Sequence, residues 1–488
     1  MILTLNHKRK TITATLLVLV ASLAACKKFV VVPPPTSQLA TATVFSDNAT
    51  ATASELSIYT QMSGESVNMA VSCGLVGDEL TNYASDAYSL SYYTNALQTQ
   101  NPPSIWSSAY KYIYQANAII EGLQNNSIIS PAVAKQLMSE SKFVRAFWYF
   151  YLVNLYGDVP LTLTTDYKVN NSLARAPQVQ VYQQIVADLK DAAANLNGNY
   201  VDASDTTVTT ERVRPTKAAA IALLARVYLY EKDYDNADTE ATDVINNGLY
   251  SLCPNLSGTG SVFQKNSSEA ILQLQTPLPS SVGTQDGLYF ILTTAPNPFG
   301  ALGNQSTTIS LQLQASFELG DKRKTNWIGG YPTDVPQYYF PYKYQTGYLP
   351  TSATDLSAVP EYTMVLRLAE QYLIRAESRL LKESPDIPGA VSDLNVIRNR
   401  AGLANYSGPA DQASLMSAIM HERQVELFTE WGHRWMDLKR TGQLDAIMGG
   451  LNGVTHAKGG NWISTDQLFP IPYQEILNDN KLVQNPGY

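Results

Sequence analysis

Two stretches of the sequence combine aromatic rings with amide and charged side chains. The first contains Asn82, Tyr83, Asp86, Tyr88, Tyr92 and Tyr93, and the second contains Arg323, Asn326, Trp327, Tyr331, Tyr338 and Tyr339. A sugar ring presents an apolar face, which an aromatic ring can cover, and a rim of hydroxyls, which need polar partners once they are buried. These residues are therefore candidate contacts for a carbohydrate. Trp327 is the leading candidate because it lies in the polar segment DKRKTNWIGGYP. Each tyrosine could instead belong to the core.

Residues that could support catalysis or bind a metal do not form a convincing set. His421-Glu422 begins like a zinc-protease helix, but the position for the second histidine is Val425. Adjacent acids such as Asp78-Glu79 do not supply the two separated carboxylates that a glycosidase needs. The sequence therefore predicts no catalytic residue, no metal and no cofactor.

The charged residues near the C-terminus are better explained as structure. We expect a network of ion pairs that locks the terminal helices together, because charges that leave water need partners. Its predicted members are Glu422, Arg423, Glu426, Arg434, Asp437, Lys439 and Arg440, with a similar set at Arg145, Glu370, Arg375 and Glu377.

The N-terminus predicts export. Basic residues Lys8–Lys10 precede an aliphatic stretch that is too short for a comfortable membrane span, and this stretch leads into Leu23-Ala24-Ala25-Cys26. The pattern resembles the lipobox of bacterial lipoproteins, which implies a signal peptide at 1–25 and acylation of Cys26. An ordinary secretory signal with a chance cysteine is the alternative. Residues 26–38, which contain VVVPPPTSQ, then form an anchor and a semi-rigid spacer.

Charge and cysteine content narrow the range of partners. The chain of 488 residues has a formal net charge of −8, and removal of residues 1–25 leaves 31 basic and 42 acidic residues, or −11. Nucleic acid is a poor partner because no basic face is visible. Cys73 and Cys253 would remain in an oxidising compartment, and the sequence leaves open whether they form a disulfide.

The helical pattern is clearest at Thr216–Leu252. Leu224, Ala225, Tyr228 and Ala237 have the spacing of a tetratricopeptide repeat, in which small residues let two antiparallel helices approach. A second hairpin is expected at Met364–Leu381 and Pro388–Arg400. One hairpin cannot bury its own apolar face, so neighbouring helices are needed.

The remaining apolar periodicities complete a mainly α fold. Further helices are predicted at Ala49–Met62, Trp106–Leu123, Leu137–Tyr156 and Val179–Leu196, and Leu415–Thr441 is predicted as one long helix or a helix pair. Gly74–Tyr93 is expected to be a long polar loop. We predict a single domain at 39–488, with a helical scaffold mainly at 105–252 and 361–442. A variable, loop-rich region with minor β structure is predicted mainly at 74–95 and 253–357.

Six motifs in order resemble the SusD/RagB family of outer-membrane lipoproteins. They are LYGDVPL at 155–161, AAIALLARVYLYEKDYDNA at 219–237, LRLAEQYLIRAES at 366–378, LNVIRNRAGL at 394–403, HERQVELFTEWGHRWMDLKRTG at 421–442, and LFPIPYQEI with the terminal NPGY. The resemblance implies four tetratricopeptide-like hairpins beside a variable binding region. It also implies a non-catalytic protein on the extracellular face of the outer membrane.

The resemblance further implies a function. A member of this family captures a nutrient polymer, usually a glycan, and passes it to a SusC-like TonB-dependent transporter. The same role with peptide cargo is the first alternative, and a surface hydrolase is the second. The sequence does not identify the glycan.

Overall fold

The computed structural model describes residues 44–298 and 306–488. Its scaffold is an array of helices, each packed against the next. The helices are α1 (Asn48–Met62), α2 (Glu65–Val76), α3 (Ala87–Tyr93), α4 (Ile105–Leu123), α5 (Pro131–Tyr156), α6 (Tyr167–Asn170), α7 (Gln178–Asn195), α8 (Lys217–Glu231), α9 (Tyr234–Ile245), α10 (Gln285–Phe290), α11 (Leu311–Ser316), α12 (Lys322–Asn326), α13 (Leu368–Leu381), α14 (Ile387–Arg400), α15 (Gln412–Leu427), α16 (His433–Arg440), α17 (Leu444–Met448), α18 (Val454–Ala457) and α19 (Tyr473–Asn478). The prediction of a mainly α fold is confirmed.

The scaffold runs through α4, α5, α7, α8, α9, α13 and α14, each of which packs against the next. In the α8–α9 hairpin, Lys232 adopts the left-handed conformation with φ 62° and ends α8. Asp233 then begins α9, where its carboxylate accepts the backbone N–H of Asn236 at 3.3 Å. Ala225 and Ala237 are fully buried, as expected where two helices touch.

Helix α5 runs through the centre of the core. Gly157 ends it with φ 75°, a conformation that suits glycine. Rings of Phe147, Trp148 and Tyr151 surround the indole of Trp431, with centroid distances of 5.1, 6.5 and 5.7 Å. The aromatic, nearly all-apolar sequence of α5 from Phe143 to Tyr156 therefore reflects burial on every side.

Short strands form five two-stranded antiparallel sheets in the described part of the chain. The strands are β1 (Leu80–Asn82), β2 (Val159–Pro160), β3 (Arg175–Ala176), β4 (Ala270–Leu274), β5 (Ser280–Val282), β6 (Thr307–Ile309), β7 (Ile328–Tyr331), β8 (Tyr338–Pro341), β9 (Tyr348–Ala353) and β10 (Thr363–Arg367). The pairs are β1–β6, β2–β3, β4–β10, β5–β9 and β7–β8. Most of them lie in the loop-rich stretches.

Two predictions of secondary structure were wrong. Gly74–Tyr93 is not a continuous loop, because it contains the end of α2, strand β1 and helix α3. Met364–Arg367 forms β10 rather than the first turn of a helix, since its backbone pairs with buried β4 and α13 begins only at Leu368. Tertiary pairing outweighs local helix preference there. Leu415–Thr441 is a helix pair, α15 and α16.

Several predictions lie wholly or partly outside the described residues. These are the signal peptide at 1–25, acylated Cys26 and the spacer at 26–38.

Cys73 and Cys253 are both buried as free thiols, so no disulfide joins them. Within residues 44–298 and 306–488, none of the helices combines the length and apolar character needed to cross a membrane.

Candidate functional site

The two aromatic stretches predicted from sequence meet in space. The rings of Tyr83 and Tyr338 pack nearly perpendicular to each other, with their centroids 5.8 Å apart. Strand β1 pairs with β6, and β6 in turn lies against β8. Tyr83 and Tyr339 are each 37% exposed at this junction.

Trp327, the leading candidate, is fully buried, so its prediction as a ligand contact was wrong. The indole N–H donates to the backbone oxygen of Leu256 at 2.8 Å. Its ring lies among cations, with Lys343, Arg367 and Arg400 at 5.0, 6.0 and 5.6 Å from the centroid. The Trp327 ring, predicted to stack on a sugar, therefore makes cation–π contacts within the protein.

Arg323 was also predicted wrongly, because it belongs to a buried ion-pair network. Its guanidinium contacts Glu422 at 2.6 Å and Glu426 at 2.9 Å, and both partners are fully buried. The network includes Arg323, Lys343, Arg367, Arg400, Asp321, Glu269, Glu422, Glu426 and Glu430. Asn326 lies at its edge, where its side chain accepts from Ser257 and donates to the backbone of Lys322.

Six of the seven charged residues predicted to lock the terminal helices form ion pairs, but several of their partners lie outside those helices. Arg423 contacts Asp437 at 2.7 Å, and Arg440 contacts both Glu377 and Asp437. Lys439 differs, because it donates to the backbone oxygen of Asn154 instead of contacting an acid.

A cavity of about 610 Å³ opens beside the Tyr83 segment. Helices α2, α3 and α10 supply most of its wall. It is lined by Val67, Asn68, Val71, Ser72, Leu75, Ala84, Ser85, Asp86, Tyr88, Ser89, Tyr92, Ser104, Tyr289, Pro298 and Ser306. Apolar groups, phenol rings and hydroxyls thus surround one space, which is the combination that a sugar requires.

Tyr88 and Tyr92 form a supported pair on this wall. They lie four residues apart on α3, with ring centroids 4.8 Å apart and hydroxyl oxygens 2.8 Å apart. Tyr92 is 1% exposed and Tyr88 is 37% exposed. Burial raises the pKa of both phenols, so both hydroxyls stay protonated at neutral pH. Tyr92 therefore supports the ring that Tyr88 presents. It also lines the cavity, so its role as a ligand contact stays a prediction.

Asp86 begins α3 and is the one ionisable carboxylate among the described lining residues. Its Oδ1 accepts the backbone N–H of Ser89 at 2.8 Å. Partial burial alone would raise the pKa of Asp86, but the hydrogen bonds from Ser89 and neighbouring amides outweigh burial and lower it. Asp86 is therefore ionised at neutral pH.

The other predicted residues have more local roles. Both polar atoms of the Asn82 side chain bond the backbone of Ala84, which shapes the turn that carries Tyr83. Tyr93 lies beneath the Lys458 ammonium, which is 5.1 Å from its ring centroid. Tyr331 pairs with Tyr338 in the β7–β8 hairpin.

Sequence reasoning missed the lining residues that lie on α2 or far along the chain. Asn68 and Ser72 lie four residues apart on one face of α2, and a face of that kind was the available signal. Tyr289 lies about 200 residues after Tyr88, within an apolar stretch that predicts a core position. Only the tertiary fold brings it to the cavity.

The acids that might suggest catalysis have other partners. Asp78 contacts Arg434 at 2.6 Å, and Glu79 is buried and accepts the N–H of Thr429. Glycoside hydrolysis uses two carboxyl groups across the sugar, whereas the described cavity wall has Asp86. The tyrosine rings and polar side chains of the cavity wall can hold a ligand by stacking and hydrogen bonds.

Comparison with protein families gives two matches in different parts of the chain. Residues 318–488 match the SusD family, and residues 38–229 match a family described as starch-binding associating with the outer membrane. SusD-like protein P2 of Formosa agariphila is 28% identical over 425 residues, which cover 79% of this chain and 80% of that protein. Starch-binding protein SusD of Bacteroides thetaiotaomicron is 30% identical over 131 residues, or 25% of this chain and 21% of that protein.

Solved structures share the fold. A laminarin binding SusD-like protein superposes with a TM-score of 0.71 at 25% identity, covering 90% of this chain and 99% of its own. A SusD superfamily protein from Bacteroides vulgatus superposes with a TM-score of 0.74 at 20% identity, covering 91% of this chain and 99% of its own. The tetratricopeptide-like arrangement of α4–α14 is thus the arrangement of these proteins.

Proposed function

Because this chain belongs to the SusD family, we propose that it captures a glycan at the cell surface and delivers it to a SusC-like TonB-dependent outer-membrane transporter. Acylated Cys26 would anchor the protein to the outer membrane, with the binding region on the extracellular side. The role requires no cofactor and no turnover.

The observation that carries the proposal is the cavity beside α3. Tyr88 offers a partly exposed ring over a wall of hydroxyl and amide groups. Tyr92 holds that ring in place through the hydroxyl contact, so little conformational freedom is lost when a sugar stacks on it. The similarity to a laminarin binding protein makes laminarin a first ligand to test.

Tyr83, Tyr338 and Tyr339 extend this surface beyond the cavity. Ala84 and Ser85 follow Tyr83 directly and line the cavity, so the tyrosine junction lies at its edge. A polymer seated on Tyr88 could continue across these rings, and we include them in the proposed binding surface.

The test is isothermal titration calorimetry of the full chain in mild detergent against polysaccharides and peptide digests. We expect binding to one glycan class and about tenfold weaker binding by Tyr88→Ala, the loss for an aromatic contact of about 1.4 kcal/mol. Tyr114→Ala is the matched control, because Tyr114 is an exposed tyrosine on α4 outside the cavity lining. It should bind as wild type.

Other results would change the proposal in defined ways. Binding that survives Tyr88→Ala would move the site, and binding to peptides alone would replace glycan with peptide cargo. Release of shortened products would support a hydrolase. For the delivery role, an outer-membrane β-barrel transporter should co-purify from the native membrane, and Cys26→Ser should lose labelled palmitate.

A further inference from the structure

The described cavity wall carries one negative charge and no positive charge. Its described lining residues include Asp86 but no lysine, arginine or histidine. The Lys458 ammonium reaches the backbone of this wall, yet it is held by the carbonyl oxygens of Leu75 and Gly77. Arg434 is likewise held by Asp78 at 2.6 Å. A negatively charged ligand in the cavity would therefore find no free cation among the lining residues.

The N-terminus of α3 does not supply a positive site either. Free N–H groups at the start of a helix attract anions. Here the carboxylate of Asp86 already occupies that position, with its Oδ1 2.8 Å from the N–H of Ser89. The position that could attract an acidic substituent is thus filled by the protein's own negative charge.

An ionised carboxylate in this place favours neutral sugars. Its oxygens accept hydrogen bonds strongly from hydroxyl groups, which every neutral sugar carries. A uronate or sulfate a few ångströms away would instead be repelled, by enough to weaken binding about tenfold at an effective dielectric between that of water and that of a protein surface.

We propose that the cavity selects uncharged glycans and excludes acidic or sulfated ones, and that Asp86 determines this selectivity. The inference rests on the proposed glycan-binding function and specifies the class of ligand. It assigns Asp86 a role in specificity beyond its role as the cap of α3.

The test uses the full chain in mild detergent and a matched pair of ligands. The neutral glycan that binds best is compared with the same polymer oxidised at the primary C6 hydroxyl to the uronate. Calorimetry with wild type should give about tenfold weaker binding for the oxidised polymer, and raised salt should reduce that difference by screening. Asp86→Asn keeps an oxygen that can accept from Ser89 but removes the charge, so it should recover most of the loss.

Asp411→Asn is the matched control. Asp411 is also an exposed helix cap, and its Oδ1 accepts the N–H of Ser414 at 3.0 Å, but it does not line the cavity. This variant makes the same change in net charge and should keep the selectivity of wild type.

Three results would overturn the inference, and each is distinct. Equal or tighter binding of the oxidised polymer would remove the selectivity while leaving the glycan-binding function intact. Selectivity that persists in Asp86→Asn would remove the assignment to Asp86. Failure of wild type to bind any glycan, neutral or acidic, would overturn the proposed function itself.

Discussion

Trp327 and Tyr88 both lie in aromatic stretches with polar neighbours, and the fold treats the two rings in opposite ways. Trp327 directly precedes β7, and its ring packs against Phe263, Phe428 and three cations. Tyr88 lies on a short surface helix beside a cavity, with one supporting ring beneath it. Polar neighbours in sequence therefore do not keep a ring at the surface, because charges can pair with each other and be buried with the ring.

Truncation of the two rings should change the free energy of unfolding by very different amounts. Trp327→Ala should lower the free energy of unfolding by about 5 kcal/mol, because it opens a cavity and removes the contact with the buried cations. Tyr88→Ala should cost about 1 kcal/mol, since the ring is partly exposed. Urea denaturation followed by circular dichroism measures both. A stable Trp327→Ala variant that loses glycan binding would reverse our assignment of the two regions.

The stability of the Trp327 region should depend on the buried ion-pair network beside it. Arg323→Met should cost about 3 to 4 kcal/mol, because it leaves Glu422 and Glu426 buried without their partner. Lys142→Met is the comparison, since the Lys142–Asp191 pair at 2.9 Å is partly exposed and is worth about 1 kcal/mol or less. Equal losses in the two variants, measured by urea denaturation, would show that the network adds no special stability.

An effect that is smaller per pH unit comes from Glu79, the acid that precedes β1. Burial, followed by the charge of Asp78, raises the pKa of Glu79 to about 8. The folded chain therefore holds a proton that the unfolded chain releases near pH 4.5. Stability should fall as pH rises between about 5 and 8, by about 1.4 kcal/mol per pH unit for this group.

Glu79→Gln isolates this contribution from that of other buried acids. The amide keeps an oxygen that can accept the N–H of Thr429 but cannot ionise. The free energy of unfolding should match wild type near pH 5 and exceed it near pH 8. Parallel pH profiles for the two proteins would mean that Glu79 titrates normally. Asp86, seven residues later and exposed, should show no such destabilisation because its pKa is lowered.

The helical scaffold could be predicted well from local patterns. The spacing of Leu224, Ala225, Tyr228 and Ala237 predicted the α8–α9 hairpin, and Ala225 and Ala237 are buried as that spacing requires. Apolar periodicity also predicted the helix at Leu137–Tyr156, which forms most of α5. These features depend on residues three, four or about twelve positions apart, which a helix or a hairpin brings together by itself.

The sequence alone therefore determined the helical class, the family resemblance and the acidic character of the chain. It also indicated the Tyr83–Tyr93 segment as a candidate surface. Only the tertiary structure decided which rings face solvent. Tyr289 and Tyr88, about 200 residues apart, line one cavity. Trp327 is enclosed by the rings of Phe263 and Phe428 and by cations from three different parts of the chain. Exposure depends on everything that packs on a residue, and most of those partners are distant in sequence.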